Sequence, residues 1–97
     1  MMLVFKKRAL NTINKTAAWV EDNNTEGSGD RWLNKIFHSI DSFAQTTNLA
    51  QYKLCPNEKL SRWNYHCLSV EKKWIVAFKV ETNVFVVYRF IHGSRLK

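Results

Sequence analysis

Arg89, His92 and Arg95 fall within seven residues near the end of the chain, and Lys97 follows them. Guanidinium groups match the paired oxygens of a phosphate. An imidazole exchanges protons near neutral pH. Metal-free cleavage of RNA needs a base for the ribose 2′-hydroxyl, a cation for the phosphorane and an acid for the leaving oxygen. His92 and His66 can move protons, and Arg89, Arg95, Arg62 and Lys79 can neutralise charge. If the chain is a ribonuclease, Arg89, His92 and Arg95 are the catalytic candidates. Arg62, His66, Lys73, Lys79, Arg89 and Lys97 form the wider candidate surface for a nucleic acid or another target. Each also has a plainer reading. His92 could serve only as a strand-end histidine bonded to backbone groups, and Arg89 as the partner of a carboxylate such as Glu71.

Other chemistries find little support. There is no Walker loop, no Gly-x-Gly-x-x-Gly, no zinc spacing and no nucleophile elbow. Gly27-Ser28-Gly29 reads as a helix start rather than a phosphate loop. Cys55 and Cys67 have neither metal nor redox spacing, so no metal and no cofactor is implied. Both cysteines are expected to be reduced and structural, as in a reducing cytosol.

The elements that must position these residues follow from hydrophobic period. Trp74–Val80 and Val84–Ile91 alternate strongly and predict a hairpin. A three-residue connection, Glu81-Thr82-Asn83, pairs Val80 with Val84, Phe78 with Val86, Val76 with Tyr88 and Trp74 with Phe90. All four pairs are apolar, which makes that side a core face and gives Tyr88 core-face parity. The other face collects Lys73, Lys79 and Arg89. Upstream, Leu3–Phe5 predicts a short strand. Residues 9–22 predict a helix with Leu10, Ile13, Ala17 and Val20 in one stripe, and residues 30–45 a second helix. Residues 46–61 read as a loop. Arg62–Leu68 alternates, with Trp63, Tyr65 and Cys67 on the core face and Arg62, Asn64 and His66 opposite. Trp32 and Trp74 read as core. The order is β-α-α-β-β-β, an α+β fold with a small antiparallel-rich sheet and a helical hairpin packed on one face.

Size and charge bound the rest. Ninety-seven residues make one domain, spanning 1–97. A chain of that length buries about 65% of its unfolded surface. No apolar run is long enough to span a bilayer, and the N-terminus has its charges after its apolar residues, the reverse of a secretory signal. A cytoplasmic location is expected. The net charge is +7, and it is uneven. Residues 1–44 carry six Lys/Arg against five Asp/Glu, and residues 45–97 carry nine against three. Such a field favours RNA, DNA or an acidic protein segment.

A family pattern runs through these elements. Tyr88-Arg89-Phe90-Ile91-His92-Gly93-Ser94-Arg95 resembles the end of the RelE/ParE superfamily of bacterial toxins, whose last strand often reads arginine, two apolar residues, histidine, then Gly-x-Arg. Phe5-Lys6-Lys7-Arg8-Ala9-Leu10 and Ala17-Ala18-Trp19-Val20-Glu21 are similar to the family's first strand and helix, and Gly27 to Phe43 to its second helix. The resemblance implies a toxin of a type II toxin–antitoxin pair, with a cognate antitoxin whose flexible, often acidic segment silences it. RelE-like members cleave messenger RNA on the ribosome, and ParE-like members poison DNA gyrase. The ribonuclease branch often carries a tyrosine in a C-terminal extension. This chain ends at Lys97, and its His92-Gly93-Ser94-Arg95 ending is closer to the ParE-like branch. A basic nucleic-acid-binding module without toxicity is the reading from another class.

Overall fold

A computed structural model of the chain describes residues 2–46 and 54–96. Strand β1 (Met2–Phe5) leads into helix α1 (Lys7–Asp22) and helix α2 (Ser28–Thr46). A single turn, α3 (Glu58–Ser61), precedes strands β2 (His66–Val70), β3 (Trp74–Glu81) and β4 (Val84–His92). A 3₁₀ turn, Gly93–Leu96, follows. The sheet order is β1-β4-β3-β2, with β1 parallel to β4 and the other pairs antiparallel. This is the expected β-α-α-β-β-β layout with α3 added. Of the expected loop over 46–61, residues 47–53 lie outside the described residues.

Small residues let the two helices approach. On α1, Ala9, Ile13 and Ala17 are buried at four-residue intervals. A Cβ on Gly29 would lie 2.7 Å from the Ala17 carbonyl oxygen, so only glycine fits at that crossing. The Glu21 carboxylate, at the end of α1, accepts from the backbone N–H groups of Gly27 and Gly29, each at 2.8 Å. It caps the start of α2 from the preceding helix and fixes the hairpin. These contacts hold its pKa below the ordinary carboxylate value.

The helical hairpin covers one face of the sheet. Ile13, Ile36 and Ile40 pack on Leu68, Val70, Val76, Phe78, Phe85, Val87 and Phe90, all buried. Phe78 stacks on Phe85 with centroids 4.4 Å apart, and Trp74 on Phe90 at 4.7 Å. Trp32 and Trp74 pack against this core, as their spacing implies. Among the described residues, no helix is long and apolar enough to cross a membrane.

The hairpin register differs from the expected one. Glu81 pairs with Val84, so the loop is the two residues Thr82 and Asn83, both with positive φ (48° and 64°). That is the backbone of a two-residue hairpin turn. Val80 then faces Phe85 and Phe78 faces Val87. A bulge follows, because Ala77 pairs with Arg89 and leaves Tyr88 as the extra residue. Beyond it Val76 faces Phe90 and Trp74 faces His92. The turn inverts the parity of β4 and the bulge restores it, so the core face is odd-numbered up to Val87 and even-numbered from Phe90.

The second alternating run is also displaced. Asn64 has φ 62° and the chain turns there, so β2 begins at His66 rather than Arg62. His66 pairs with Phe78 and therefore lies on the helix-covered face, while Cys67 pairs with Ala77 on the far face. Trp63, expected in the core, is 64% exposed. The cysteines are not reduced: Cys55 and Cys67 form a disulfide. The chain returns over the far face, bringing Cys55 down beside β2, a proximity that sequence spacing does not show. A small second core results, with Cys55, Leu60 and Ala77 buried and Tyr65, Cys67 and Ile91 packed around them.

Candidate functional site

The far face of the sheet gathers the cations. Lys79 pairs with Val86 and Arg89 with Ala77, both away from the helices. Arg89 is partly buried, and burial, then the charge of Arg8, lowers its pKa from the usual guanidinium value. Arginine titrates so high that it still carries its charge at neutral pH. The Lys79 ammonium lies 5.1 Å from the centroid of the Tyr65 ring and 5.4 Å from that of Tyr88. Lys6 sits 5.4 Å from the Tyr88 centroid. The two tyrosine rings pack at 5.1 Å. These ring faces attract cations and hold the lysine ammonium groups over the aromatic surface.

Tyr88 is thus on the cationic face, not the core face expected for it, because the two-residue turn inverts the parity of β4 and the bulge then keeps Arg89 on the same side. Its hydroxyl donates to Glu81 Oε1 at 3.0 Å. Burial first, then this hydrogen bond, raises its pKa, so the phenol keeps its proton near neutrality.

A cleft opens beside this cluster. Lys6, Arg8, Lys59, Arg62 and Arg89 line it with Trp63, Tyr65 and Tyr88, and no carboxylate among the described residues joins them. Each comes from a different device. Lys6 and Arg8 sit where β1 ends and α1 begins, Arg62 ends α3, and Arg89 follows the bulge. A second, longer groove runs between α1 and β4, with Thr12, Lys15 and Trp19 on one wall and Arg89, Phe90, Ile91 and His92 on the other. It exists because β1 is short. Its pairing with β4 ends at Phe5–Val87, while β4 continues to His92, so no described strand covers the outer edge of β4 beyond Val87.

The sequence-derived candidates separate into groups. Arg62, Lys79 and Arg89 share the far face. His66 does not belong with them: its ring lies 5.7 Å from Phe78 on the helix side. His92 also lies on the helix side, paired with Trp74 and with its ring 5.1 Å from the indole. Its Nδ1 lies 2.7 Å from Ser94 Oγ and accepts from Ser94 N–H at 3.3 Å. Arg89 and His92 thus point to opposite faces of β4. Lys73 is exposed in the β2–β3 connection, where its carbonyl accepts from Gly93 N–H at 2.8 Å. Arg95 lies in the terminal 3₁₀ turn, and Lys97 lies outside the described residues. Glu71 pairs with Lys35 at 3.4 Å rather than with Arg89. Lys59, Tyr65 and Tyr88 were not singled out as site residues from sequence, and Trp63 was assigned to the core. The available signal was Asn64 between two aromatics, a turn residue that breaks the alternation.

No protein-family profile matches the chain, and no curated protein matches it in sequence. Among solved structures it is similar to a chain described as "Chromosomal ParDE TA system from P. aeruginosa", with a TM-score of 0.72 at 11% identity, covering 95% of each chain. At that identity the likeness is one of fold. The chain has the ParE-like α+β fold that the resemblance of its sequence implies.

Proposed function

We propose that the chain is the toxin of a bacterial type II toxin–antitoxin pair, ParE-like and acting on DNA gyrase. The observation that carries this reading is a ParE-like fold over nearly the whole chain, joined to a cationic cleft with no carboxylate among the described residues that line it. Such a cleft favours a polyanionic or acidic partner through charge complementarity. The groove beside β4 supports the antitoxin half of the reading. It offers a strand edge to which an extended acidic segment can add main-chain hydrogen bonds, with Arg8, Lys15, Lys35 and Arg89 outweighing Glu58 and Glu71 on the groove's lining. A cytoplasmic location goes with this reading.

The test is expression in a bacterium lacking a partner gene. Growth should stop, and Arg89→Ala should restore it. Purified protein should then stall gyrase supercoiling. Normal growth with the wild-type chain would leave only the basic nucleic-acid-binding module.

One observation favours a second reading. Tyr88 shares the cationic face with Arg89 and Lys79, which suits a ribosome-dependent endoribonuclease better than its sequence parity does. The separation of Arg89 from His92 counts against a catalytic pair formed by those two. Cuts in message on purified ribosomes, with gyrase unaffected, would select this second reading.

A further inference from the structure

Residues 55–67 leave the sheet and return to it as a flap with a narrow neck. At the neck Cys55 N–H donates to the Tyr65 carbonyl at 2.9 Å, Leu54 bridges His66, and the Cys55–Cys67 disulfide closes the loop. Inside the flap α3 is four residues long, too short to persist without support. Its only buried apolar anchor is Leu60, set in the small far-face cluster. Yet this flap supplies Lys59 and Arg62 to the cleft that Arg8 and Arg89 line from elsewhere. With Lys6, five like charges line one cleft and repel, and the closed neck holds the flap's two against that repulsion.

We propose that the Cys55–Cys67 disulfide is a redox switch on the cationic cleft. Oxidised, the flap holds Lys59 and Arg62 beside Arg8 and Arg89, and the cleft grips a polyanion. Reduced, the flap loosens and the grip weakens. The proposal rests on the reading of this cleft as the target-binding surface. The reductant is a dithiol protein or a small dithiol. Its thiolate attacks the Sγ of Cys67, the partly exposed residue of the pair, whereas Cys55 is buried. The Cys55–Cys67 bond breaks, a mixed disulfide forms at Cys67, and Cys55 leaves as a thiolate that takes up a proton. The second thiol of the donor then attacks the mixed disulfide. Cys67 is released as a thiol and the donor becomes its own disulfide, so two electrons and two protons pass to the protein.

The experiment compares the full chain oxidised and after dithiothreitol, with free thiols counted in each sample. Hydrogen exchange is read over residues 55–65, and affinity is read with a fluorescein-labelled deca-glutamate peptide. Reduction should speed exchange in the flap while β3 and β4 stay protected. Affinity should fall about fivefold, the effect of displacing two surface cations. The Cys55→Ser/Cys67→Ser variant should behave as the reduced protein with or without dithiothreitol. Two thiols in the air-oxidised protein, unchanged exchange in the flap, equal affinity in both states, or no binding by either would each overturn the switch. Failure of the toxin reading looks different: the redox effects on exchange and affinity appear, but expression of the chain does not slow growth.

Discussion

Arg89 is the residue on which the proposed function turns, and its surroundings say what replacing it should do. After burial, the charge of Arg8 is what most lowers its pKa, and no carboxylate among the described residues lines the cleft they share. Arg89→Ala removes a repulsion together with a partly buried stem. Unfolding stability should stay within about 1 kcal/mol of the parent, while growth inhibition is lost. Phe78 is the opposite case. It is fully buried and stacked on Phe85, so Phe78→Ala should lower stability by about 3–5 kcal/mol in denaturant unfolding. Thr82 holds a positive φ of 48°, a costly conformation for a β-branched residue. Thr82→Asn should stabilise by about 0.5–1 kcal/mol, read from the same unfolding curves. Glu21 sets a pH dependence. Its folded pKa is depressed by the Gly29 and then the Gly27 N–H groups, so its contribution is fully present above the unfolded carboxylate value. That contribution is lost as pH falls through the ordinary carboxylate range toward the lower folded value. Thermal melts of Glu21→Gln should show a flatter acid limb than the parent.

Helices and strands were legible in the sequence, and their faces only in part. The stripes of Ile13 and Ala17, and of Ile36 and Ile40, marked both helices because each element needs one buried side and nothing interrupts the 3.6 period. Strand β4 hides its own facing. Its apolar run has no polar residue between Val84 and Tyr88, so alternation could not show that a two-residue turn inverts the parity and a bulge at Tyr88 restores it. The same ambiguity put Tyr88 in the core. Lys79 was assigned correctly because the facing of β3 does not depend on the loop, and Arg89 because the bulge restores the parity that the turn inverts. His66 was misassigned because the alternation was counted from Arg62, across the turn at Asn64. The disulfide was invisible for another reason: two cysteines twelve residues apart meet only if the intervening chain doubles back. Its closure of that loop constrains the unfolded chain. Reduction should therefore lower stability by about 3 kcal/mol, measured by unfolding with and without reductant.

For the whole molecule, charge and topology act together. The positive balance sits in the second half of the chain, and the fold places part of it opposite the helices, where the N-terminal Lys6 and Arg8 join it. Among the described residues the first strand in sequence pairs only with the last, and that last strand occupies an interior position between β1 and β3. A chain still being translated therefore holds β1, both helices and β3 before the strand that joins them has been made. Assembly of the sheet must wait for β4, and a product cut short before Val84 has neither Arg89 nor a partner for β1.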